Sequence, residues 1–308
     1  MRLIDGNPPI IKVPTNLEKC HTRMTIANVD SEQKLSNAWH GNLELTYGVR
    51  SGATQLLHDR SQAPFKLQRS FYPEGNEVCH NVILHTAGGI VGGDRLSMKL
   101  QLQPQSQALI TTAAASKLYR SNGQEARQTI QVHVAEGACL EWLPQETIVF
   151  DQAIYRQDMR VDLAPSAQWL GWEITRFGRT ARGEQFLAGN WRSHTEVWQA
   201  GKPLWIDRQW LPGSELMVQS PHGLANCPIV GSFAYIGQVV EPELVTQARS
   251  LWQGSTGEIG VTRLMSGLLC RYRGHSTTEV RQWFVAVWQL LRLSYLGRST
   301  CLPRVWQL

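Results

Sequence analysis

The chain has 308 residues, 42% hydrophobic and 18% charged, which supplies enough apolar material for a sizeable core and too much for a disordered segment. Its formal net charge is +5, but the Lys and Arg residues are scattered without a run. The sequence therefore shows no basic stripe of the kind that nucleic-acid binders concentrate on one face. Its six cysteines are widely spaced with no C-x-x-C pair. Together with the lack of a signal-peptide opening and of about 18 consecutive apolar residues, they argue against a disulfide framework, secretion and a membrane-spanning helix. The expectation is a cytoplasmic protein with reduced thiols.

Residues 1–37 read as an extension, partly ordered: Pro8, Pro9 and Pro14 break any helix, and "NVDSEQKLSN" is polar throughout. A single domain is expected over 38–308. From Trp39 the pattern turns to period two, with Leu43, Leu45, Tyr47 and Val49 on one face of a strand. Further strands are predicted at 53–58, 64–70, 79–86, "LSMKLQL" (96–102), 107–113, "TIQVHVA" (129–135), 138–143, "DMRVDL" (158–163), 167–177, 191–199, 203–211 and 228–239. Two helices follow. The first, 241–253, has Pro242 near its first turn, and the second, 277–296, opens on Ser276 and Glu279 as a capping box and stops at Gly297. Strand-like "GVTRLMSGLLCRYRG" separates them. The fold class is mainly β with a small α-helical part near the C-terminus, and no fixed repeat period is visible.

The loudest local feature is "TAGGIVGGDR", with Gly88, Gly89, Gly92 and Gly93 before Asp94 and Arg95. A phosphate loop needs Lys-Ser/Thr after its last glycine, and a dinucleotide turn must open a helix, whereas here a strand follows. A tight turn or close backbone packing is the reading that remains. The nine histidines show no zinc spacing and no H-E-x-x-H. The hydroxyls and amine of Thr111, Thr112, Ser116 and Lys117 do not form the S-x-x-K of acyl-transfer enzymes, because Tyr119 occupies the position three after Ser116. Carboxylates are richer. Glu141, Glu146 and Asp151 lie in one stretch, and Glu173 and Glu184 lie near Arg176, Arg179 and Arg182 in another. Such groups form structural ion pairs or do acid–base work, so a β-solenoid hydrolase using a carboxylate pair is the competing function.

At these residues the chain resembles a known family. "HTAGGIVGGDRLSMKLQLQPQSQALITTAAASKLYRS", "LEWLPQETIVFDQA", "LGWEITRFGRTARGEQF", "GNLELTYGVRSGATQLL", "APFKLQRSFYPEG" and "LLRLSYLGRSTCLPRVW" look like blocks of the UreD (UreH) family of urease accessory proteins. They run in register from about residue 38 to the end. The resemblance implies a β-helix-like winding of many short strands, no catalysis, and no tightly bound cofactor. It also implies binding to the UreF accessory protein and, through it, the UreG GTPase, followed by docking on the urease apoprotein and support of nickel insertion; it allows a homodimer within that assembly. No nucleic acid or membrane is expected among the partners. Nickel would pass transiently, along weak acidic sites that let the ion leave again. The candidates for that path are Asp94 and Glu173 first, then Glu141, Glu146 and Glu184. The matched blocks add Gly88, Gly89, Gly92, Gly93, Arg95, Thr111, Thr112, Lys117, Tyr119 and Arg179 as motif positions.

Overall fold

A computed structural model of the chain describes residues 38–306; the predicted extension over 1–37 lies outside the described residues. The chain begins with an antiparallel hairpin of β1 (His40–Arg50) and β2 (Ala53–Gln62), then the short β3 (Phe65–Leu67). It next winds through β4 (Val78–His85), β5 (Arg95–Leu102), β6 (Gln107–Thr112), β7 (Ser116–Leu118) and β8 (Ala126–Val134). The winding continues through β9 (Cys139–Trp142), β10 (Thr147–Val149), β11 (Ile154–Leu163), β12 (Gln168–Phe177) and β13 (Asn190–Gln199).

The long strands of this winding alternate between two sheets. β5, β8, β11 and β13 pair parallel in one, and β4, β6, β9 and β12 pair parallel in the other. This is a β-solenoid-like stack of coils. Register rows run straight across it: Val78, Gln107, Cys139 and Gln168 are successive partners on one side. The short β7 and β10 join the end of β12 as a third side. Loops of unequal length separate the strands, so the coils stack in space without a constant period in sequence.

Antiparallel strands close both sheets. β14 (Lys202–Pro212) pairs with β13 at one edge of the first sheet. β15 (Ile229–Ile236) pairs with β12, and the hairpin of β16 (Glu258–Leu264) and β17 (Gly267–Gly274) extends the second sheet. The described residues also form three α-helices, α1 (Glu215–Gln219), α2 (Pro242–Ser250) and α3 (Thr277–Leu291), the last continuing as a π-helical turn over Arg292–Leu296. Gly297 ends that turn in the left-handed region, φ 65°, where glycine carries no Cβ penalty.

Two apolar cores result, one between the sheets and one between the second sheet and the helices. β5 alternates buried and accessible residues because only one of its faces is covered. β12 is buried along most of its length because it lies between the first sheet and α3. Trp283, Phe284, Val287 and Leu291 of α3 are all buried, as the helical periodicity predicts. Trp172 centres an aromatic cluster, 5.8 Å from Phe233, 6.1 Å from Phe284 and 5.2 Å from Trp306 between ring centroids.

The differences from the sequence reading are local. The five-residue α1, capped by the Ser214 hydroxyl accepting from the Met217 amide at 3.2 Å, is too short to show a period. The 64–70 strand contracts to β3 and the 241–253 helix to α2. Only half of the predicted capping box forms. Ser276 Oγ accepts from the Glu279 amide at 3.1 Å, but the Glu279 carboxylate takes Ser255 and Thr256, and the Ser276 amide donates to the Tyr272 hydroxyl at 3.2 Å.

Candidate functional site, a cavity between the sheets

Between the two sheets lies a cavity of about 520 Å³, room for on the order of fifteen waters. It reaches the surface where the turn after β4 meets the turn before β7: Thr86, Gly88, Ala114 and Lys117 line it and are exposed. The runs "TAGG" and "TTAAASK" therefore meet at one mouth, and their short side chains leave it open.

Deeper in, a polar row crosses an otherwise apolar wall. Gln128, Gln157, Ser193 and Gln209 are register partners on four adjacent strands of the first sheet. Each sits at an inward-facing position of its strand, Gln157 for example between Tyr155 and Met159. Gln128 donates to Gln157 at 3.3 Å, Gln157 to Ser193 at 3.4 Å, and the Ser193 hydroxyl to Glu173 Oε2 at 2.7 Å. Glu173 stands across on β12, in a row with Ser232 of β15 and Arg271 of β17. Arg271 reaches back to Ser232 at 2.6 Å and to Asp207 of β14 at 2.7 Å, and Gln209 donates to Asp207 at 2.8 Å. Two carboxylates, Glu173 and Asp207, thus line one cavity, and the partly exposed Arg271 guanidinium pairs with the second of them.

Glu173 is half-buried by area, yet the surface it keeps faces the cavity and not bulk water. Burial is the main influence and lifts its carboxyl. The Ser193 hydrogen bond opposes this, the Asp207 charge adds to it and Arg271 opposes it, leaving a pKa of about 7. Near neutral pH this carboxyl is poised between its neutral and its charged form. His85 Nε2 and Trp169 Nε1, on two residues that line the cavity, have no hydrogen-bond partner among the described residues. Buried polar atoms are ordinarily satisfied, so water is expected beside these two atoms in a cavity that is otherwise lined largely by apolar side chains.

The other four predicted acids lie elsewhere, each with its oxygens engaged. Asp94 is fully buried in the glycine turn, where Oδ1 accepts from the Trp39 amide at 2.8 Å and Oδ2 from the Val91 amide at 3.0 Å. Glu141 faces the helices and binds Arg292, Arg298 and the Trp288 indole. Glu146 pairs with Arg281. Glu184 pairs with Arg179 and accepts the Asp151 amide at 3.1 Å.

The motif positions divide in the same way. Gly88, Gly89, Thr112 and Lys117 line the cavity. A Cβ on Gly89 would sit 2.7 Å from the Lys117 carbonyl oxygen, and Gly93 holds φ 95°, so neither accepts another side chain without strain. A Cβ on Gly92 would press on the Gln124 carbonyl at 2.8 Å. Arg95 binds the Gly93, Asp94 and Glu125 carbonyls. The Tyr119 hydroxyl donates to Gly88 at 3.0 Å. Thr111 donates to the Leu143 carbonyl at 2.6 Å and accepts from the Trp306 indole at 2.9 Å. Arg179 also stacks on Phe150, 4.7 Å from its centroid. Sequence reasoning missed Asp207, although "WIDRQWL" puts it among the inward positions Trp205, Gln209 and Leu211.

Among the described residues no group of three or more His, Cys, Asp or Glu side chains is placed to hold a metal ion, and no helix is long and apolar enough to cross a membrane. A parallel winding of strands, backed by helices and enclosing a cavity with two carboxylates in its wall, defines a β-solenoid-like scaffold. Its relatives are specific. The family model described as UreD urease accessory protein matches residues 40–307. Proteins named urease accessory protein UreD are similar along nearly their whole length. That of Nostoc punctiforme is 67% identical over 274 residues, 89% of this chain and 98% of the relative. That of Trichormus variabilis is 65% identical over 270 residues, 87% and 96%. That of Synechocystis is 43% identical over 259 residues, 83% and 96%. The chain belongs to the UreD family of urease accessory proteins, a family that is not enzymatic by name, which sets the carboxylate-pair hydrolase aside.

Proposed function

We propose that the chain is the scaffold on which urease receives its nickel: it binds UreF, joins UreG through it, docks on the urease apoprotein, and passes nickel through the cavity between its sheets. The observation that carries this reading is the polar row facing Glu173 and Asp207 inside an apolar interior. Burying polar groups costs free energy that a purely structural core avoids. Here Gln128 and Gln157 of the row, with Glu173 and Asp207, line a space of about 520 Å³, room for a hydrated divalent ion. The ligands are carboxylate, amide and hydroxyl oxygens, which bind a borderline cation weakly enough to release it. GTP hydrolysis falls to UreG, consistent with the missing phosphate loop in this sequence.

The test is Glu173→Gln in a reconstitution with UreF, UreG, urease apoprotein and nickel. Gln keeps the size and the bond to Ser193 while removing the charge. The reading predicts intact assembly with slower nickel incorporation into urease. Incorporation at the wild-type rate, in a complex that has assembled, would refute the role of Glu173.

A further inference from the structure

Arginines that are scattered in sequence become a row in space. Arg95, Arg127, Arg156 and Arg192 are register partners on β5, β8, β11 and β13, with His40 before them on β1 and Trp210 after them on β14. All lie on the outer face of the first sheet, opposite the cavity. Adjacent strands are roughly 4.8 Å apart, so the four arginines leave the sheet at about that spacing.

Their own neighbours leave this charge largely uncompensated. Asp158 is one carboxylate shared by Arg127 at 2.8 Å and Arg156 at 2.8 Å. Arg95 binds only carbonyl oxygens. Arg192 stacks on Trp210, 5.1 Å from its centroid. Trp210 is 60% exposed and Ile206, also outward on β14, is 40% exposed. Exposed tryptophan beside arginine is the composition of residues that dominate protein–protein binding energy.

We infer that this face docks a protein partner presenting a row of carboxylates beside an apolar contact. The inference rests on the reading of the chain as an assembly factor. Carboxylates on successive turns of a helix repeat at about 5.4 Å, close to the strand spacing. A second copy of this chain would set arginine against arginine. Nucleic acid fits less well, because a duplex backbone offers no apolar group to cover the exposed Trp210 and Ile206.

The experiment compares full-length wild type, Arg127→Glu/Arg192→Glu, and Arg263→Glu/Arg304→Glu as a control. The control changes net charge equally at arginines off this face. Three probes are titrated at physiological salt: labelled poly-L-glutamate, labelled duplex DNA, and the purified UreF–UreG–urease apoprotein mixture. The expected result is that the double variant binds poly-L-glutamate and the protein mixture at least about tenfold more weakly than the control. Should it fail to fold by circular dichroism, Arg127→Gln/Arg192→Gln replaces it with the same expectation. Equal binding by variant and control overturns the inference. Duplex DNA bound more tightly than poly-L-glutamate, and lost with the same variant, also overturns it. If wild type ignores the protein mixture, the assembly-factor reading fails, and the poly-L-glutamate comparison still decides whether this face is an acidic-polypeptide site.

Discussion

Arg292 and Glu141 form a bidentate ion pair, 2.8 Å from Nη2 to Oε1 and 2.8 Å from Nε to Oε2, with both side chains fully buried. Arg292 opens the π-helical turn after α3, and Glu141 lies on β9 in the middle of the second sheet. Arg292 also takes Glu74 at 2.6 Å and the Ser299 carbonyl at 2.6 Å, so one guanidinium ties the loop before β4, the sheet and the C-terminal tail together. Removing Glu141 leaves the buried Arg292 with Glu74 as its remaining carboxylate and strips Arg298 of its ion-pair partner. Glu141→Ala is expected to cost about 3–5 kcal/mol, read by chemical denaturation. Replacing Arg292 and Glu141 together by Met and Leu should cost less than the sum of the two single changes, although Glu74 and Arg298 then each lose one partner.

Acid should loosen the same joint through Glu74. Burial works to raise its carboxyl, but the bonds from His80 and Arg292 outweigh burial and hold it at about 2. A depressed carboxylate contributes stability that is present above its unfolded value, near 4.5, and is lost as pH falls toward 2. Glu74→Gln is therefore expected to flatten the stability profile over that window. Thermal melts from pH 5 downward measure it.

Glu173 carries the opposite sign. Its raised pKa means that stability is fully present below 4.5 and is lost as pH rises through about 7. Glu173→Gln is expected to stabilise the protein by roughly 1–3 kcal/mol above pH 7 and to change little below 4.5. A melting-temperature difference independent of pH would show that the carboxyl does not titrate inside the cavity.

Asp94 should behave as a turn residue. Its two oxygens cap the Trp39 and Val91 amides, and losing two charge-assisted bonds costs about 3–6 kcal/mol. Asp94→Ala is expected to melt earlier and yet to activate urease normally per assembled complex. Lost activation with full assembly would return Asp94 to the nickel path.

The α3 packing gives a further check. Trp283 is buried, and its indole donates to the Ala248 carbonyl of α2 at 2.9 Å. Trp283→Ala is expected to cost about 3–5 kcal/mol, with α2 losing protection from hydrogen exchange.

What the sequence shows of this molecule follows from how local each signal is. Leu96, Met98, Leu100 and Leu102 announce β5 because the pleat has period two, and Trp283, Phe284 and Val287 announce α3 through its apolar stripe. Glu173 stands out as a carboxylate in an apolar strand, and the structure lines the cavity with it. Asp94, Glu141, Glu146 and Glu184 look alike in sequence, but their partners come from other segments, Arg292 for Glu141 and Arg281 for Glu146. Only register separates them from Glu173. The row of Arg95, Arg127, Arg156 and Arg192 is hidden for the same reason, since each belongs to a different coil and the loops between are unequal.

The most direct test of a nickel passage blocks the cavity without touching a charge. Ala114 is exposed at the mouth, so Ala114→Trp can close it while leaving the core alone. The measurement is nickel bound per urease active site after reconstitution with UreF and UreG, by elemental analysis of urease repurified from complexes shown to have assembled. The account predicts a fully assembled complex and urease left largely without nickel. Urease filled at the wild-type rate through the Ala114→Trp protein would contradict it.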